Sequence, residues 1–339
     1  MQYLTEYYYE KLSLTGKNYY RQVVRAAEAW KSSVSSSPLL SEKDFRAAVQ
    51  AVNYDHPELF HVNFQSQAFS RDMRGFTLQL RYLYPQTVAQ IVKSKIDAAV
   101  SSILNAAKPS AGKPRYIQYR FLHNQFLKLV RYDYAALANP SSNLEAYTIA
   151  GVFNNHSAVC EGIAKAFKYL CDKSGLYCTL IIGQSIFAQT GTKVEHAWNL
   201  VEVDDGLAHI DVTWDINATT ASSFNRYDYF CIADEDVKAD HFYSGYPAAL
   251  SSKFNYFTAN RALISGFKAL EVFLKTKLSS GCKDLYFKLR KSEKLTKAII
   301  PRITETVEKT AAAVYANGYS LSAVFNEEQY VFYYRVVGM

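Results

Sequence analysis

The chain has 339 residues, 49% of them hydrophobic and 20% charged, which excludes a mostly disordered or fibrous protein and exceeds what one hydrophobic core usually organises. Its net charge of +7 hides a division: residues 1–138 carry +8, residues 139–252 carry −8, and residues 253–339 carry +7. An acidic middle between basic flanks argues against one uniform nucleic-acid-binding surface and for three parts. The boundaries expected from composition are a helix-rich region over 1–110, a central domain over 111–252 and a small α+β unit over 253–339.

Met1 to Lys17 lacks the basic start and apolar run of a secretory signal, and no stretch approaches the ~20 apolar residues of a membrane helix. The expectation is a cytoplasmic protein with no membrane partner. The first segment reads as helical from Tyr3 to Trp30, followed by a Ser-rich break. Ser41 with Asp44 marks a helix cap, and Phe45, Val49 and Val52 continue at helical spacing. Residues 62–69 and 76–84 alternate as two strands, and Thr87 starts a long helix with Val88, Ile91, Val92, Ile96, Val100, Ile103 and Leu104 on one stripe. A linker at 108–114 precedes a helix from Tyr116 to Val130.

The middle segment reads as a helix with Val159, Ile163, Ala166, Phe167 and Leu170 on one stripe, stopped by Gly175. Strands are expected over 177–182, 196–203 and 207–214, the last two joined across Asp204-Asp205-Gly206. The third segment gives a helix over 261–279, a strand over 284–289, a helix over 292–317 bent at Pro301, and two strands around 326–328.

Five cysteines, at 160, 171, 178, 231 and 282, form no C-x-x-C pair, so reduced thiols without a structural metal are expected, and no cofactor. Cys160 is placed near the start of its helix, as the third residue if Ser157 is the cap, where unpaired N–H groups and the macrodipole favour an anion. Gly162 beside it leaves room for a substrate backbone. A nucleophilic thiol needs a base, and the base an orienting group. His196 shares a strand face with Trp198, which makes Trp198 a candidate groove residue. If Glu202 pairs with Leu207, Asp211 falls opposite Trp198, one diagonal step from His196. Rivals are His209 as base, Asp215 as orienter, and His156 as a metal ligand one turn before Cys160.

The blocks SAVCEGIAKAFKYLCDKSGLYC (157–178), EHAWNLVEVDDG (195–206) and HIDVTWD (209–215) together resemble the signature blocks of the transglutaminase-like superfamily, in the order Cys, His, Asp. Tyr132-Asp133-Tyr134, Asp228-Tyr229-Phe230, Asp234-Glu235 and Asp240-His241 are similar to its bacterial branch. The resemblance implies an α+β fold with a papain-like core. It implies Cys160 as nucleophile, His196 as general base and acid, and Asp211 as the group that fixes the imidazole. It further implies acyl transfer through a thioester to water, as in a cysteine protease or amidase, or to an amine, as in a transglutaminase. An inactive peptide-binding scaffold is the reading from another class. Asn154 is a candidate second oxyanion donor by papain-like spacing, with Asn155 and Tyr147 behind it. The expected partner is a peptide or protein substrate, cationic because of the acidic middle segment, and not nucleic acid.

Overall fold

The computed structural model describes residues 6–187, 191–291 and 299–338, and these mix helix and strand throughout. In the N-terminal region, helices Leu14–Glu28 and Glu42–Asp55 begin at serine caps, Ser13 accepting from the Gly16 N–H and Ser41 from the Asp44 N–H. Both pack their apolar stripes over a small sheet of β1 (Ser33–Ser35), β2 (Ala68–Asp72) and β3 (Gly75–Gln79). Its order is β1-β3-β2. Tyr19, Val23, Phe45, Val52, Phe76 and Leu78 form the buried interior there. The hairpin is shorter than the alternation predicts, because Phe64–Ser66 coils into a helical turn before β2 begins.

The long helix Gln86–Ala107 and the helix Arg115–Leu129 pack with Cys160–Lys173 into a larger core. Two very short strands, β4 (Arg131–Tyr132) and β5 (Ser157–Ala158), run parallel just ahead of Cys160. The helix then lies on an antiparallel sheet of β6 (Cys178–Phe187), β7 (Thr192–Val203), β8 (Gly206–Ile210), β9 (Phe230–Ile232) and β10 (His241–Phe242). The strand order is β10-β6-β7-β8-β9.

Two expected elements change character. The strand over 207–214 stops at Ile210, and Asp211 caps a new helix, Val212–Ser222, by accepting from the Trp214 N–H at 3.1 Å. The helix over 261–279 begins only at Phe267. Gly266, at φ +85°, turns the chain after β11 (Leu263–Ile264), which runs parallel to β12 (Asp284–Leu289). With β13 (Tyr319–Asn326) and β14 (Val331–Gly338) these form a second sheet, order β11-β12-β14-β13. Helices Phe267–Ser279 and Ile299–Val314 cover it. The expected helix start at 292 lies outside the described residues, and Pro301 is the third residue of the described helix. No helix among the described residues is long and apolar enough to cross a membrane.

Candidate active site

Cys160 is the first residue of its helix rather than the third. Ser157 does not cap it: the Ser157 hydroxyl donates to Asp133 Oδ2 at 3.1 Å, and Val159 occupies the cap position. The thiol therefore sits closer to the positive end of the helix than the sequence suggests, and Cys160 is 8% exposed. The helix is moored to the sheet by Asn199, whose amide donates to the Ala164 carbonyl at 3.0 Å. Its first turn is moored to the N-terminal region, with Asn53 and Gln65 donating to Glu161 at 3.1 and 2.8 Å.

The β7–β8 pairing has Glu202 opposite Leu207 and Asn199 opposite Ile210, the register derived from the turn. One step further the chain leaves the strand, and the Asp211 carboxylate swings to His196, with Nε2 to Oδ2 at 2.6 Å. The Cys160 side chain adjoins the same imidazole as a hydrogen-bonding and charge partner. With Nε2 committed to Asp211, Nδ1 is the nitrogen left for the thiol. Burial would strip His196 of its proton, but the Asp211 carboxylate overrides burial and pushes the imidazole pKa up to about 10. Burial would likewise raise the Asp211 carboxyl, yet His196 and a second histidine hold it well below the usual carboxylate range.

That second histidine, His241, meets Asp211 Oδ2 with its Nε2 at 3.0 Å and Asp240 Oδ1 with its Nδ1 at 2.6 Å. Sequence spacing gave it no role. It arrives by the pairing of β10 with β6, His241 opposite Ser185, a contact between segments too far apart for local pattern to reveal. His196, Asp211 and His241 offer atoms within 4.8 Å of one another, a grouping that could in principle hold a metal. The hydrogen bonds oppose this: both histidine Nε2 atoms point at one carboxylate oxygen and donate to it, which leaves neither a lone pair for an ion.

The rivals are occupied elsewhere. His209 Nε2 bonds Asp234 at 2.9 Å while its Nδ1 accepts from Trp198 at 3.1 Å. Asp215 lies on the helix after Asp211, bonded to His123 at 2.9 Å and to the Tyr229 N–H at 3.1 Å. His156 is exposed, in the loop between Phe153 and β5.

Three sequence-level assignments need correction. Asn154 gives its amide to Asn155 Oδ1 at 2.8 Å, so it is spent within its own loop. Trp198 is 1% exposed and stacks behind His196 at 5.7 Å between ring centroids; it backs the imidazole instead of lining a groove, since both faces of β7 are covered. Gly162 leaves no space for a substrate. A Cβ there would stand 2.2 Å from the Ala146 carbonyl oxygen, so the glycine serves internal close approach.

Beside His196 opens a cleft of about 180 Å³ whose walls include Tyr132, Tyr134, Glu195, Trp214 and Asn217. Tyr132 is the residue that sequence reasoning missed. Its pairing opposite Ala158 brings the phenol to Cys160, where it interacts with both the thiol and the backbone N–H. Burial pushes the Tyr132 phenol far above its ordinary range, so it keeps its proton. Part of the acidic surplus of the middle segment is internal: Asp211, Asp215, Asp228 and Asp240 are buried. Glu195 is the sole carboxylate on the described cleft wall. A preference for Lys- or Arg-containing peptides accordingly depends on this one side chain. Glu195→Gln is expected to cut kcat/KM for such peptides about fivefold, the worth of one exposed ion pair of about 1 kcal/mol, and to leave Ala-substituted peptides unchanged; peptide-turnover assays check this.

No protein-family model and no curated sequence matches the chain. Among solved structures, a crystal structure of a TGase is similar at 12% identity, with a TM-score of 0.30 over 44% of each chain.

Proposed function

We propose that the protein is a thiol-dependent acyl-transfer enzyme of the transglutaminase-like superfamily with a papain-like core, acting on peptide or side-chain amides and passing the acyl group to water. One observation carries the reading: Cys160, His196 and Asp211, drawn from a helix start, the interior of β7 and the end of β8, adjoin one another around a 2.6 Å His–Asp bond beside an open cleft.

In this reading the Cys160 thiolate, with the His196 imidazolium as counter-ion, attacks the amide carbonyl carbon and forms a tetrahedral oxyanion. The imidazolium gives its proton from Nδ1 to the departing amine, the C–N bond breaks, and a thioester remains. Neutral His196 then takes a proton from water, the hydroxide adds to the thioester, and collapse releases the acid while Cys160 leaves as thiolate. Asp211 keeps the ring oriented throughout and stabilises its charged form before and after the proton is passed. Two donors serve the oxyanion: the Cys160 N–H at the helix start, which an arriving oxyanion takes over from the Tyr132 hydroxyl, and that hydroxyl itself, which lies beside it.

The test is turnover of a peptide library by the full chain, with and without an added primary amine, against Cys160→Ala. Hydrolysis that falls at least about 10³-fold in the variant supports the proposal. Amine incorporation in place of hydrolysis makes the protein a transglutaminase. Equal turnover by the variant refutes thiol chemistry.

A further inference from the structure

Asp211 holds two histidines, and the proposed chemistry uses one. His241 Nε2 shares with His196 the same carboxylate oxygen, while His241 Nδ1 faces Asp240 Oδ1. A neutral imidazole carries a single N–H. A ring whose two nitrogens both meet carboxylate oxygens, at 3.0 and 2.6 Å, is fully satisfied only as the imidazolium.

The far end of this chain is built as firmly. Asp240 Oδ2 accepts from the Tyr229 hydroxyl at 2.6 Å and from Gln329 Nε2 at 3.0 Å. Gln329 reaches in from the turn between β13 and β14, and Asn326 beside it donates to the Tyr229 hydroxyl at 3.1 Å. His241, Asp240, Asp211, Tyr229 and Gln329 are each at most 1% exposed. An unbalanced charge in such a place costs several kcal/mol, so alternating His–Asp–His–Asp is the arrangement that lets all four ionise. Aromatic rings enclose the rest of His241: Trp198 and Trp214 at 4.8 Å, Tyr229 at 5.4 Å. The charged or titratable groups that face it are Asp211, Asp240, His196 at 5.4 Å between ring centroids, and His209, which feels its charge. Its strand partner Ser185 is neutral.

We infer that His241 is a positioning residue for His196: a permanent imidazolium, clamped by Asp240, that pins the Asp211 carboxylate and offsets part of its charge. This rests on the site proposed above but reaches past it. An unshared buried carboxylate would hold the His196 proton too tightly for transfer to a leaving amine; a second cation on the same oxygen loosens that grip. Burial opposes the charge on His241, yet its two carboxylates outweigh burial and raise its affinity for a proton. The C-terminal turn, through Gln329 and Asp240, thereby sets the proton affinity of a histidine on the other sheet.

The full chain, labelled with ¹³C,¹⁵N-histidine and assigned by single variants of its seven histidines, reads both rings by NMR between pH 6 and 11. His241 is expected to carry protons on both nitrogens at pH 7. In His241→Gln, which keeps an amide donor for Asp211 but no charge, the His196 midpoint is expected to rise by about one unit, as removal of a like charge within 4–6 Å requires. A single N–H on His241 at pH 7 overturns the inference without any variant, as does a His196 midpoint unmoved in a folded His241→Gln protein. Neither reading involves substrate or thiol. A failure of acyl transfer alone would strike the proposed function and leave this result standing.

Discussion

Asp211→Asn is expected to move the His196 titration midpoint down from about 10 and to lower kcat/KM about 10⁴-fold. The His196 pKa of about 10 is the balance of burial, which lowers it, against the Asp211 carboxylate and the Cys160 side chain, which raise it. An amide removes the larger of the two raising partners, so the imidazole midpoint falls. The loss of rate corresponds to a histidine that is misoriented and less firmly charged. The sign for stability follows from the same shifts. The raised His196 contributes stability that is fully present below pH 6.5 and disappears as pH climbs through about 10. The depressed Asp211 contributes stability that is present above pH 3.8 and vanishes in acid. Histidine NMR measured against pH, alongside thermal unfolding, checks both. A His196 midpoint unmoved in the variant would sink the His196–Asp211 assignment.

Gly162→Ala is expected to destabilise the protein by about 3 kcal/mol, the upper end of what overpacking costs, through a single methyl group. The added carbon meets the Ala146 carbonyl oxygen at 2.2 Å and the Thr148 carbonyl oxygen at 3.1 Å. Both are backbone atoms, so neither can rotate away. Relief requires the first turn of the Cys160 helix to back off from the segment it leans on, which also displaces the thiol. Urea unfolding and KM measured together separate this from the alternative in which Gly162 faces substrate: there KM rises and stability is unchanged.

These two residues show where a sequence can and cannot be read. The His196–Asp211 partnership was legible because it depends on a short turn: Asp204-Asp205-Gly206 sets the register, and register sets neighbours. The Ser41 cap and the stripe through Val92, Ile96 and Val100 were legible for the same reason, being local, although Val88 and Ile91, read onto that stripe, are exposed. Gly162 answers to a carbonyl sixteen residues upstream, and His241 to a strand pairing with β6, so neither signal lies within a window of sequence. Trp198 failed differently. Alternation places it correctly on the His196 face, but β7 is buried on both sides, and no periodicity distinguishes a covered face from a groove. The acidic middle segment is only partly a surface feature, since some of its carboxylates are matched by His196, Arg226 and Lys288 and only Glu195 stands on the described cleft wall.

Asn53 and Gln65, two of the side chains that grip Glu161, lie more than ninety positions upstream, and Gln329, one of those that steady Asp240, lies 89 positions downstream. A ribosome delivers these supports at opposite ends of synthesis. The thiol emerges with its first turn already able to find Asn53 and Gln65, but without its histidine's full electrostatic setting until the last sheet has closed. A partly made or clipped chain thus carries an anchored Cys160 beside a histidine whose electrostatic support is incomplete.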